Sequence, residues 1–257
     1  MLQQELCFKR IRIDMNKLKP FLLTLSVLTA PFTAHAETTK TLPIIEQQSQ
    51  VAGFYQHQVG NTQITALLDG TNFISPSLFK DIPQDKLQDI LKKYHADQAK
   101  GVQTSVNAFL VNTGKSLVLV DSGTADCFGA HLGSVIKNLK AAGYQPEQVD
   151  SILLTHLHPD HSCGVSKDGI ANYPNATIYV SENEANYWLA PKQISKVPKE
   201  KRENYAGTVE KIKAALAPYQ AKKQFKTFQL GDNIQGVDVS ATAGPPPRHC
   251  SYQLKTS

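Results

Sequence analysis

Apolar residues recur along the chain with two periods, and the switching between them predicts the elements. Leu132, Val135, Ile136, Leu139 and Ala142 stand at i, i+3, i+4, i+7 and i+10 and Gly143 follows, which predicts a core-facing helix closed by glycine. Val209, Ile212, Leu216 and Tyr219 predict another helix. Leu87, Ile90, Leu91 and Tyr94, opened by Asp81-Ile82-Pro83-Gln84, predict a third with those four side chains on one side, and residues 182–189 a short fourth. Between the helices, residues 104–111, 116–120, 149–155, 176–180, 225–230 and 237–242 read as strands. Residues 63–69 predict a further strand, stopped by a turn at Asp69-Gly70. The runs at 116–120 and 149–155 are apolar without alternation, as strands covered on both faces are. Strands interleaved with helices define an α/β chain, and no internal repeat or low-complexity linker divides it.

The front of the chain has another logic. Lys17 and Lys19 precede an apolar stretch at 21–32, and Ala34-His35-Ala36 supplies a small-x-small cleavage site, the pattern of a secretory signal peptide. Residues 1–36 are therefore read as a leader cleaved near Ala36, with Met15 a candidate start, and the protein as periplasmic or secreted. The apolar stretch is shorter than the roughly 20 residues that cross a bilayer and Pro31 breaks it, so no stable membrane anchor is expected. Residues 37–60 read as an exposed lead-in and 61–257 as the folded domain.

Charge and cysteine usage narrow the classes. The formal net charge of +5 falls to +2 beyond the leader, where 22 basic residues face 20 acidic ones, so no basic stripe supports nucleic-acid binding. With Cys7 ahead of Met15, the exported chain keeps Cys127, Cys163 and Cys250. They show neither C-x-x-C spacing nor a disulfide-scaffold pattern, and leave room for a single bridge.

The chemistry concentrates directly after the apolar strand at 149–155. Thr155-His156-Leu157-His158-Pro159-Asp160-His161 sets three imidazoles and a carboxylate in six positions, donors that suit Zn²⁺ and related divalent ions. If the extended geometry persists, His156 and His158 project from one face and can grip one ion. Asp160 and His161, past the turn at Pro159, would point to a neighbouring position and a second ion. Asp121, in the Asp121-Ser122-Gly123 turn after an apolar strand, fits either support of a ligand histidine or plain turn capping. Phe54, Tyr55, Phe73, Phe79, Phe109, Tyr187 and Trp188 are candidates for an apolar substrate pocket, although aromatics stand more often in a core.

His156, His158, Asp160 and His161 match in full the H-x-H-x-D-H signature of the metallo-β-lactamase superfamily, and the chain resembles that family over most of residues 60–250. The segments 118–123, 139–150, 173–176 and 184–188 resemble the branch typified by methyl parathion hydrolase rather than the β-lactamases. The resemblance implies an αβ/βα four-layer sandwich and a site for two divalent ions, zinc first and manganese, iron or cobalt as alternatives. His156 and His158 would hold one ion, Asp160 and His161 the other. A metal-activated water, hydrogen-bonded by Asp160, would attack a small-molecule ester, lactone or phosphotriester.

Two departures from the family stand beside this. Its Gly-His-x-x-Gly-His segment corresponds to residues 244–249, where the ligand position is Pro245, a residue with no side-chain metal donor; His249 matches the second histidine and lies four residues on. The family's bridging aspartate and last histidine would fall beyond residue 257, so an incomplete second half of the sandwich is expected. A catalytically dead remnant with weak metal binding is therefore the alternative, and β-lactamase-type hydrolysis a further one.

Overall fold

A computed structural model describes residues 53–96, 100–241 and 249–254; the leader, Pro245 and most of the lead-in lie outside them. The chain opens with two antiparallel hairpin strands, β1 (Phe54–Val59) and β2 (Thr62–Ile74), followed by helix α1 (Gln84–Lys93) and strands β3 (Val102–Asn112) and β4 (Leu117–Val120). Helix α2 (Val135–Ala141) leads to β5 (Ser151–Leu153), the one-turn helix α3 (Pro159–Ser162) and a small hairpin of β6 (Ser166–Lys167) and β7 (Ile170–Ala171). Then come β8 (Thr177–Ser181), α4 (Glu182–Leu189), α5 (Arg202–Ala221), β9 (Phe225–Phe228), β10 (Asn233–Ile234), β11 (Val237–Ala241) and β12 (Cys250–Leu254).

Seven strands form one sheet in the order β1-β2-β3-β4-β5-β8-β9, antiparallel through β4 and parallel from β4 to β9. Strands β10, β11 and β12 form a second, antiparallel sheet. Alternation along the central strands feeds two cores. Leu119, Ile152 and Ile178 pack with Val135 and Leu139 of α2 and with Ile212, Leu216 and Tyr219 of α5. Val118 and Leu153, facing the other way, pack with Phe228, Ile234, Val237, Val239 and Cys250. Each fully buried Leu or Ile contributes about 2 kcal/mol relative to exposure, so β4 and β5 are anchored from both sides. This is the mixed α/β architecture expected, with helices on one face of the large sheet and the small sheet on the other.

Several local expectations are corrected. The lead-in ends before residue 54, because β1 pairs along its length with β2 as an edge strand. Strand β2 does not stop at Asp69-Gly70 but continues to Ile74 through an irregularity between Leu68 and Gly70. The reason is the buried Asp69 carboxylate, which accepts from the Thr124 amide (3.0 Å), the Thr124 hydroxyl (2.6 Å) and the Val135 amide (3.3 Å) instead of capping a turn. Helix α1 buries Leu87 and Leu91 only, and Ile90 and Tyr94 face solvent. Helix α2 starts after Leu132, since Gly133 has a positive φ and sits against the backbone of Ala125. Strand β5 is three residues long, so the histidine-rich segment follows it as a loop rather than continuing it.

Candidate metal centre

The parallel strands β4, β5 and β8 end on one side of the sheet, and the residues after each carry the polar groups of the site. Asp121 follows β4 in the left-handed region (φ +58°), a conformation aspartate tolerates better than most residues. Its Oδ1 accepts from the Thr155 amide (2.8 Å) and hydroxyl (3.1 Å), and its Oδ2 lies 2.8 Å from His161 Nδ1. The Ser122 amide and hydroxyl both donate to the His161 carbonyl oxygen (2.9 and 2.8 Å), and the Gly164 amide donates to that of Gly123 (2.9 Å). A Cβ at Gly164 would overlap the Ser122 carbonyl oxygen, so only glycine permits this approach. The disulfide Cys127–Cys163 joins the same two stretches. Asp121 thus does more than close its turn.

The predicted donors come together. His156 Nε2 and His158 Nδ1 are 3.1 Å apart, so the two imidazoles face one another although neither lies in a strand. The His161 ring centroid is 4.0 Å from that of His156, and Asp160 Oδ2 is 3.3 Å from His161 Nε2. His249, immediately before β12, stacks on His156 with centroids 4.1 Å apart. The Cys250 amide, donating to the Thr155 carbonyl oxygen at 3.1 Å, brings it there. Pro245 lies outside the described residues.

Electrostatics differ sharply within the cluster. Burial and then the neighbouring histidines His161, His158 and His249 push His156 down to about 2, leaving its imidazole neutral across the physiological range. His161 moves oppositely: burial opposes its charge, but the Asp121 and Asp160 carboxylates outweigh it and raise it to about 10. For Asp160, burial raises the carboxyl, yet hydrogen bonding and charge from His161 overcome this and hold it below its ordinary range. A neutral imidazole at the floor beside an ionised carboxylate is ligand chemistry.

Among the described residues no three of these donors surround a common point; the rings hydrogen-bond and stack on one another. The donor set still fits a divalent ion in kind, since imidazoles and a carboxylate are its ordinary ligands and His156, His158, His161, His249 and Asp160 form one contiguous cluster.

Of the aromatic candidates, Trp188 reaches the cluster, its ring 5.4 Å from that of His158 in an edge contact and stacked on Tyr205 at 5.1 Å. Phe109 lines a mainly apolar cavity of about 510 Å³ between the two sheets, with Ile64, Val111, Val120 and Tyr252, which touches the site only through Asp121 and Thr155. Tyr55 is largely exposed on the edge strand. Sequence reasoning missed Glu184, a 2% exposed carboxylate on α4 whose Oε2 accepts from the Leu157 amide at 2.9 Å. Its signal, a charged residue on the same helical face as the apolar Trp188, is four positions long.

A mixed sheet with imidazoles and carboxylates outside the ends of its parallel strands defines a class first: an α/β protein whose site lies at the strand ends. The family follows, because residues 101–256 match the metallo-beta-lactamase superfamily, and the chain belongs to that superfamily of hydrolases. A crystal structure of the hydrolase AbOPH in the β-lactamase superfamily is 72% identical, with a TM-score of 0.79, covering 81% of this chain and 72% of that one. The dizinc quorum-quenching lactonase AidC, in complex with a hexanoyl-homoserine product, shares the fold at 22% identity (TM-score 0.68, 80% of this chain and 71% of that one). The beta-lactamase-like protein 2 homolog of Drosophila melanogaster is 41% identical over 61 residues, 23% of this chain and 19% of its own; the match spans about a fifth of that relative's length.

Proposed function

We propose that the chain is a metal-dependent hydrolase acting on a small-molecule ester, lactone or phosphotriester, with a site for two divalent ions, zinc foremost. The observation that carries this reading is the convergence of His156, His158, Asp160, His161 and His249 at the strand ends of a chain 72% identical to a superfamily hydrolase. His156 and His158, with His249 in reach, would hold one ion, and Asp160 and His161 the other. When bound, such ions lower the pKa of water and stabilise negative charge on the electrophile's oxygen.

The chain's own groups supply the rest. Asp121 holds the Nδ1 side of His161, leaving Nε2 turned to the cluster. Asp160, kept ionised, would accept a hydrogen bond from the attacking water at a carboxylate oxygen and orient it. Water's oxygen would then bond to the acyl carbon or phosphorus as the bond to the leaving oxygen breaks, its proton passing to Asp160 and from there to the leaving oxygen. Trp188 walls the His158 side and sets an apolar surface beside the reacting centre.

The segments resembling the methyl parathion hydrolase branch favour a phosphotriester or ester over a β-lactam. Export fits as well, because a Cys127–Cys163 disulfide persists in oxidising compartments. A second reading, metal binding without turnover, draws on the donor count: among the described residues the cluster offers only Asp160 and Asp121 as carboxylates, and Asp121 is committed to Thr155 and His161. Hydrolysis assays with aryl phosphotriesters, aryl esters and acyl-homoserine lactones on zinc-loaded protein test the first reading. Stoichiometric zinc with no turnover on any of the three would favour the second.

A further inference from the structure

Beyond the end of β5 the backbone leaves its ladder, and its amides are taken up one by one. The Leu154 amide still donates to the Tyr179 carbonyl oxygen of β8 (2.9 Å), while that of Thr155 goes to Asp121 on the β4 side. The Leu157 amide, between the two facing imidazoles, goes to Glu184 Oε2 on the β8 side (2.9 Å). Leu157 is fully buried among the core residues, so its side chain is fixed below while its amide is fixed above. Glu184 is itself fixed, since its own amide donates to the Ser181 hydroxyl that caps α4 (3.2 Å). One turn further on, Trp188 meets the His158 ring. Helix α4 therefore touches the His156-Leu157-His158 tripeptide at two points one helical turn apart. A carboxylate buried to this degree is costly unless its acceptor capacity is used.

We propose that Glu184 is a positioning residue: by holding the Leu157 amide it sets the backbone angle at which His156 and His158 present their nitrogens to a divalent ion. The inference rests on the metal-site reading above. Its determinant is the hydrogen-bond acceptor, so a neutral acceptor of the same length preserves the geometry.

The test is a Co(II) titration of the full chain followed by visible absorption, with folding monitored in parallel by near-ultraviolet circular dichroism. Glu184→Ala, read on folded protein, is expected to weaken Co(II) binding about tenfold and to alter its ligand-field bands, the scale seen when groups that orient metal ligands are removed. Glu184→Gln is expected to restore affinity to within about threefold of the native chain. A purely structural role would lower stability and leave Co(II) affinity of the folded protein unchanged in both variants, which overturns the proposal while the metal-site reading stands. A tenfold loss in the glutamine variant also overturns it. If the alanine variant does not fold, Glu184→Asp, whose carboxylate is drawn back by one methylene, takes its place with the same expectation, and unchanged Co(II) affinity of the folded aspartate variant likewise overturns the proposal. Failure of the native chain to bind Co(II) removes the metal-site reading, and this inference with it.

Discussion

Residues 155–163 and His249 meet at the His156 ring, yet they are held differently. The first stretch is tied to the β4 loop through Asp121, Ser122, Gly123 and the disulfide, and to α4 through Glu184. His249 is exposed and reaches the cluster through the Cys250 amide and the Tyr252 hydroxyl, which donate to the Thr155 and Leu154 carbonyl oxygens (3.1 and 2.7 Å). The H-x-H-x-D-H segment is braced by the loop after β4, the disulfide and α4. The imidazole contributed from the second sheet is held only through hydrogen bonds of its neighbours in β12. Substitutions in the first region should cost more than substitutions in the second, and in different quantities.

The largest expected effect is from His156→Ala, which removes the buried neutral imidazole that all three other rings approach; zinc affinity should fall more than about 100-fold, measured by competition with a chromophoric chelator. Next is Asp121→Ala, which frees both Thr155 and His161; about 10- to 100-fold in zinc affinity is expected from the loss of an orienting carboxylate. In the metal-free variant His161 should titrate well below its native value of about 10, followed by NMR of the ring. Replacing Cys127 and Cys163 by serine opens a link across a sequence separation of 36 and should cost roughly 3–4 kcal/mol in chemical denaturation. His249→Ala should be the mildest, less than about tenfold in zinc affinity with unchanged stability, because its ring is exposed and outside the braced segment. A loss at His249 equal to that at His156 would erase the contrast.

Acidity sharpens it. The ion pairs of His161 stabilise the metal-free fold fully below the ordinary imidazole value of 6.5, and that contribution is lost as pH rises through about 10. His156 contributes with the opposite sign: its stability is present above 6.5 and lost as pH falls towards about 2. Because an ion must displace the His161 proton, zinc binding at pH 8 should release about one proton from this residue, seen with a pH indicator in weak buffer. No release would mean that His161 is not a ligand.

Much of the frame was legible in the sequence. Residues 182–189 were bounded correctly because Ser181 caps them and the apolar strand before them ends there. The central strands were legible because both faces are buried, which leaves an unbroken apolar run. Strand β1 was not, since Tyr55, Gln56, His57 and Gln58 all face solvent at the sheet edge and leave no alternation. Asp69 looked like a turn residue because a buried carboxylate fed by distant amides has no local signature. The same holds for Glu184, which reads as the solvent face of a helix until the fold places the Leu157 amide against it. The four donors of the motif were legible as a string. That His249 would stack on His156 follows only from the pairing of β12 with β11 and its bond to Thr155.

Elemental analysis of the purified full chain beside its His156→Ala variant decides whether residues 156–161 form a divalent metal centre. After dialysis against metal-free buffer, the native chain is predicted to retain stoichiometric zinc and the variant almost none. Equal metal content in the two proteins, or none in either after exposure to zinc, would mean that these residues hold no metal ion.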